Sequence, residues 1–263
     1  ITKKNDQFEL NIHQDDLPFC VDFLILATGS SPYGHHLAGE LGHSITEIVP
    51  SLFTFKIKDP LLEGMMGLSF KKLALKLTVS VKNREKTWQE KADVLITHWG
   101  LSGPAVLRLS AFAAKELFHS NYQANLQINW LGNESFDLVV VSLNQYKQDH
   151  PRQSIGGSPL FSLSKRFWQR LLKIAKISPE ENWAEIPKIS LRTLAQNLSQ
   201  TQFKVSGKGV FKEEFVTCGG VDTSMIDFST MAAKSCSGLH VVGELLDIDG
   251  VTGGFNFQNA WST

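Results

Sequence analysis

Two apolar runs near opposite ends of the chain, Val21-Asp-Phe-Leu-Ile-Leu-Ala27 and Leu239-His-Val-Val242, each stop at a glycine turn. The first ends in Thr28-Gly29-Ser30 and the second in Gly243-Glu244. A mostly apolar run bounded by turn residues fits a strand buried on both faces, as in a parallel sheet. In open α/β sheets ligands sit beyond the carboxyl ends of the strands, so both turns are expected to furnish loops to one cleft. Most of the chain lies between the two runs and follows a different pattern. The expected architecture is therefore a discontinuous α/β domain, interrupted and then resumed.

The second turn continues through an acidic stretch holding Asp247 and Asp249 and enters a helix-like segment at Gly253-Gly254. Glycines let a ligand approach the backbone, the free N–H groups of a helix start point at it, and carboxylates accept hydrogen bonds from sugar hydroxyls. A plain strand-to-helix connection with ordinary turn residues accounts for the same letters. No GxGxxG phosphate loop occurs anywhere in the sequence.

Between the two ends, Phe8, Leu10 and Ile12 alternate with polar residues as a half-buried strand does, with Asp15-Asp16 as the following turn. A short helix is expected over 34–41, stopped by Gly42. From Ile45 to about Leu131 short strands dominate: 52–57, the strictly alternating 73–81, 92–97 and 124–130. Within them, Gly100-Leu-Ser-Gly-Pro104 leads into a helix with Pro104 in its first turn. From Asp137 to about Gln200 the pattern is helical, with Phe167, Leu171 and Leu172 on one face of 164–174 and a second helix over 187–198. Strand signals return at 203–205 and 214–221.

These readings divide the chain into 1–44 and 223–263 as the two parts of the α/β domain. A β-barrel insertion spans 45–136, a helical insertion 137–200, and a return through the barrel 201–222.

Twenty-six basic and 26 acidic residues cancel, so no global field argues for nucleic acid or an anionic membrane surface. Lys71-Lys72 with Lys76 reads as a solvated face. Three cysteines without CxxC spacing, Cys20, Cys218 and Cys236, are expected as buried thiols in a reducing compartment. No signal-peptide-like stretch and no membrane-length apolar run is present, which places the expectation in the cytoplasm or an organelle stroma. Ser102 lacks the second glycine of a nucleophile elbow. The histidines, among them His35, His36, His43 and His98, lack the spacing of a zinc site, and no metal is expected.

Leu26-Ala-Thr-Gly29, Leu41-Gly-His43, Thr97-His-Trp-Gly-Leu-Ser-Gly-Pro104, Phe215-Val-Thr-Cys-Gly-Gly-Val221 and Gly243 to Gln258, taken together and in order, resemble the YhiN/BaiN-like flavoproteins. These NAD(P)/FAD-dependent oxidoreductases are also called aminoacetone-oxidase-like. The resemblance implies a Rossmann-like flavin domain interrupted by a β-barrel and a helical insertion. By position, the chain is similar to that family without its first βαβ unit, which carries the GxGxxG, and without the end of its last helix. It opens at Ile1 with no initiator methionine, as a piece of something longer would.

Carried over by position, Thr28 and Gly29 would lie by FAD, and Gly243 and Glu244 near its ribityl or pyrophosphate. Asp247 belongs to the same acidic turn, and Gly253, Gly254, Phe255 and Asn256 would lie at the flavin ring. The loop after Gly29 is shorter than in the family and lacks its second glycine. Thr217, Cys218 and His98 fall in family-like motifs without an assignable acid or base role. The implied function is flavin-mediated hydride or electron transfer on a small molecule, with NAD(P)H as reductant and no nucleic-acid or membrane partner. Catalytic residues and oligomeric state are not legible. The competing reading is a non-catalytic binding or interaction module that keeps the scaffold without the cofactor.

Overall fold

The computed structural model describes residues 1–11, 18–157, 159–209 and 216–263. Ile12, the Asp15-Asp16 turn, Glu214 and Phe215 lie outside them. The chain divides into two compact units, residues 1–52 with 211–263, and residues 53–210.

The first unit begins with three short antiparallel strands, β1 (Thr2–Lys4), β2 (Gln7–Leu10) and β3 (Phe19–Val21), in that order. They are followed by β4 (Leu24–Leu26), α1 (Pro32–Glu40) and β5 (Val49–Ser51). The expected single strand over 21–27 is thus two strands in two different sheets. Nor is it buried on both faces: Phe23 and Ile25 are 71% and 63% exposed, while Leu26 is 3%. Asp22 accepts a hydrogen bond from the Gln7 side chain at the break. Beyond it the chain alternates, as a strand covered on one face does.

The second unit is built on a closed barrel. Its strands are β6 (Phe55–Lys56), β7 (Ser69–Val81), β8 (Arg84–Ile96), β9 (Gly100–Ser102), β10 (Gln123–Asn129) and β11 (Thr201–Lys208), ordered β10-β11-β6-β9-β8-β7. Closure comes from β10, which pairs antiparallel with β7 as well as β11. The alternation in 73–81 does what its period dictates: Leu73, Leu75, Leu77 and Val79 all face the core. After β9 come α2 (Pro104–Phe112) and α3 (Ala114–His119), so the expected single helix is broken at Ala113. Ser102 accepts a hydrogen bond from Thr54 Oγ1 at 3.1 Å, which ties it into the barrel.

The helical layer is α4 (Phe136–Asp149), α5 (Lys165–Ile174) and α6 (Lys188–Ser199). Ser135 and Ser164 cap α4 and α5 by accepting from Leu138 and Phe167 N–H groups. Trp168 is fully buried, and its indole N–H donates to the Ile155 carbonyl at 2.8 Å. Trp130, Phe167, Phe70 and Phe203 form an edge-on aromatic cluster in the same core.

The chain then returns to the first unit with β12 (Val216–Cys218), which pairs antiparallel with β5. β13 (Ile226–Asp227), β14 (Ala232–Ala233), β15 (Leu239–Val241) and α7 (Phe255–Ser262) complete it. Its main sheet has the order β13-β14-β15-β4, with β15 and β4 parallel. The fold is thus a discontinuous, partly Rossmann-like α/β domain carrying a β-barrel and a helical insertion. Of the three thiols expected to be buried, only Cys236 is; Cys20 is exposed and Cys218 half-buried. Cys20 sits on a short strand whose residues are at best partly covered. Among the described residues no helix is long and apolar enough to cross a membrane.

Candidate functional site

β4 and β15 lie side by side and run the same way, with Leu26 opposite Val241 and the Val242 N–H donating to the Leu26 carbonyl at 3.1 Å. Their carboxyl ends therefore leave one edge of the sheet together. Both exits bend through a left-handed glycine, Gly29 at φ 61° and Gly243 at φ 71°. Thr28 folds back on α1: a Cβ at Gly34 would fall 1.8 Å from Thr28 Oγ1, so only glycine fits there.

A 3₁₀ turn over Gly243–Leu245 presents Glu244, whose Oε1 accepts the Thr217 N–H at 3.2 Å. The Gly243 N–H donates to Thr263 Oγ1 at 2.8 Å, tying the turn to the far end of α7. His35 of α1 is buried, with neither ring nitrogen hydrogen-bonded in good geometry. Burial pushes the His35 imidazole below its ordinary 6.5, and the Ser31 carbonyl and the Glu244 charge pull the other way. His43 is also buried and is pushed down by burial, against the Ala38 and Leu41 carbonyls.

The first turn of α7 forms one wall of a cavity of about 430 Å³. Gly253, Gly254, Asn256 and Phe257 line it on that side, Glu244 and Thr252 add polar groups, and Val216, Ile248 and Val251 make it largely apolar. Gly254 caps the helix in the left-handed region at φ 87°, with no side chain accepting from the first turn. The first intrahelical bond runs from Gln258 N–H to the Gly254 carbonyl. The N–H groups ahead of it lack intrahelical acceptors. Asn256 does not point free into the cavity: its Oδ1 accepts the Gly250 N–H at 2.7 Å and its Nδ2 donates to the Gly250 carbonyl at 2.9 Å. It locks the 250–256 loop in the manner of a backbone pair. Backbone donors, apolar walls and a single carboxylate suit a flat, electron-accepting ring.

Four of the nine residues singled out from sequence, Glu244, Gly253, Gly254 and Asn256, line this cavity. Thr28, Gly29 and Gly243 lie at the adjoining strand exits. The Asp247 N–H donates to the Val221 carbonyl, and Phe255 is 60% exposed. Sequence reasoning missed His35, weighed only as a metal ligand, although its place one turn after the Thr28-Gly29 exit is a readable signal. It also missed a second cavity, of about 740 Å³, in the barrel unit, lined by Lys58, Thr97, His98 and Arg166 among others.

Comparison with known proteins adds to this geometry. The family described as "HI0933-like protein barrel and H2TH domain" matches residues 49–216. The ribosomal RNA dihydrouridine synthase of Escherichia coli is 30% identical over 271 residues, covering 97% of this chain and 64% of that protein. Its namesake in Haemophilus influenzae is 30% identical over 237 residues, 89% of this chain and 54% of the relative. A 3-dehydro-bile acid delta(4,6)-reductase of Clostridium scindens is 26% identical over 261 residues, 96% of this chain and 62% of the relative. The chain thus spans between about half and two thirds of the length of these relatives.

Proposed function

The chain belongs to the HI0933-like family of flavoprotein oxidoreductases, and from that premise we propose that it works in FAD-dependent reduction of a carbon–carbon double bond conjugated to a carbonyl. The names of the relatives support the bond type. Making dihydrouridine saturates the uracil C5=C6 bond beside its C4 carbonyl; a delta(4,6)-reductase of a 3-dehydro steroid works on olefins conjugated to the C3 ketone. In both, hydride goes to a carbon conjugated to the carbonyl and a proton to its neighbour. Of the two acceptors, a uracil base in RNA is favoured, because the relatives named for it are the more similar.

Bound FAD would supply the hydride, with NAD(P)H as the source of its electrons. The residues of this chain hold and shape. Gly253 and Gly254 would let the ring reach the backbone, and the first turn of α7 would offer N–H donors to the ring edge where negative charge collects. Asn256 fixes that turn by its clamp on Gly250. Glu244 fixes the β12 end through Thr217, and Val216, Ile248 and Val251 exclude water from the ring face. Thr28, Gly29 and Gly243 shape the neighbouring strand exits, where the rest of the cofactor would run.

The observation that carries the proposal is the cavity walled by the first turn of α7 behind a diglycine. Purified protein reconstituted with FAD should show flavin absorbance that NADPH or NADH bleaches, and Gly254→Val should lose it while remaining folded. Folded wild-type protein that stays colourless after reconstitution would overturn the reading in favour of a non-catalytic module.

A further inference from the structure

We propose that the exposed basic face of α5 is a docking surface for the phosphate backbone of a structured RNA. The choice of RNA among polyanions rests on the reductase reading above; the surface itself rests on charge. Between Asp149 and Glu180 the sequence carries no acidic residue but six cations, Arg152, Lys165, Arg166, Arg170, Lys173 and Lys176. In a chain whose 26 basic and 26 acidic residues cancel, such a stretch is a local excess that net charge conceals. It stands against the expectation, drawn from that net charge, of no nucleic-acid partner.

Folding turns the excess into a face. Phe167, Trp168, Leu171 and Leu172 bury one side of α5, which leaves Lys165, Gln169 and Lys173 in a row on the other, about 12 Å long at 1.5 Å per residue. Arg166 and Arg170 lie beside it and are oriented by hydrogen bonds to the Met66 and Pro60 carbonyls. Carbonyls aim these guanidinium groups but do not neutralise them. None of the ion pairs among the described residues includes a cation of this stretch.

The fold gives no reason for the pattern. Lys173, in the last turn, complements the helix dipole, but Lys165 and Arg166 occupy the first turn, where the dipole favours anions. Like charges at i, i+4, such as Arg166 and Arg170, repel as well. A polyanion laid along the face relieves both costs. Arg166 also lines the larger barrel-unit cavity, whose volume of about 740 Å³ is in the range that holds a nucleotide. Asp59 and Glu63 share that cavity, so the phosphates belong on the helix face rather than inside it.

The test is fluorescence anisotropy of the full chain with a labelled RNA stem-loop carrying unpaired uridines, over a range of salt. Lys165→Gln/Lys173→Gln/Lys176→Gln removes three charges that have no ion-pair partner among the described residues. Lys71→Gln/Lys82→Gln/Lys91→Gln removes three from the β7–β8 hairpin as a control. The α5 variant should bind at least about tenfold more weakly, with the slope of log affinity against log salt reduced by about two, and the control should bind like wild type. Binding by the α5 variant within about twofold of wild type, equal loss in both variants, or no RNA binding by wild type would overturn the proposal. Flavin absorbance is read separately on the same samples. RNA binding that depends on α5 in a protein that never takes up FAD would sink the reductase reading and leave the docking surface standing.

Discussion

The two units differ in how much of their apolar surface they cover. The barrel unit closes on itself and gathers its buried residues into one cluster running from Phe53 to Val205. The α/β unit has a much smaller cluster, centred on Phe8, Leu26, Val221, Leu239 and Val241. It also leaves Phe19, Phe23, Ile25, Tyr33, Phe255, Phe257 and Trp261 more than half exposed. In the barrel unit most apolar stripes meet a partner, although Phe112, Leu138, Val141 and Ile189 on its helices are also more than half exposed. In the α/β unit, β4 and α7 carry apolar side chains that stay exposed among the described residues, and the candidate cofactor cavity lies beside one of these elements. The larger buried cluster thus belongs to the barrel unit, and the candidate cavity belongs to the unit with the thinner core.

The largest expected effect tests that asymmetry directly. Trp168→Ala removes a fully buried indole and its bond to Ile155, and should cost the barrel unit about 3–5 kcal/mol. Phe257→Ala, at a side chain 77% exposed, should change stability by less than about 0.5 kcal/mol. Denaturant titration of both variants reads the contrast; comparable losses would mean the exposed aromatics of α7 are stabilising where the structure shows them bare.

A smaller effect sharpens the picture inside the α/β unit. Asn256→Ala deletes two hydrogen bonds to Gly250 and should loosen the loop by about 1–3 kcal/mol. Amide exchange at Gly250 should quicken and FAD affinity should fall, while exchange in the barrel strands stays as it was. Protection at Gly250 that survives the substitution would show that the clamp is redundant.

The smallest effect is a pH dependence confined to the same unit. His35 and His43 are pushed below 6.5 by burial, so the unfolded chain takes up protons that the folded chain refuses. Stability is complete above that pH and declines as the pH falls below it. The double variant His35→Gln/His43→Gln should flatten this acid limb, read as the denaturant midpoint at neutral and at mildly acidic pH. An acid limb as steep in the variant as in wild type would assign it to other groups.

How far the sequence could be read follows the same divide. The strand over 73–81 and the α5 face of Phe167, Leu171 and Leu172 were legible because their period reports burial directly. The first half of β8, Arg84 to Lys91, was not, because its residues are polar and it is held by the register of its hairpin with β7. The 21–27 run misled for the opposite reason: apolar composition states what a strand can bury, not whether anything lies on it. At the site, the diglycine and Glu244 were visible from turn chemistry. His35 was passed over although its place one turn past the Thr28-Gly29 exit was readable, because it was judged only as a metal ligand. The acid-free stretch from 150 to 179 was legible throughout, and summing charge over the whole chain hid it.

The way the barrel begins and ends has a further consequence. β6, its first strand, pairs antiparallel with β11, its last, with Phe55 opposite Lys208, and the Gly209 N–H donates to the Thr54 carbonyl at 2.8 Å. The points where the chain goes in and comes out are thus about one strand spacing apart, roughly 5 Å. Once the barrel has formed, the rest of the polypeptide experiences those residues as a short rigid staple, and the entropy of closing so long a loop no longer burdens its assembly. Mutations that weaken the barrel should therefore also weaken assembly of the α/β unit and its candidate cavity, though they touch none of its walls.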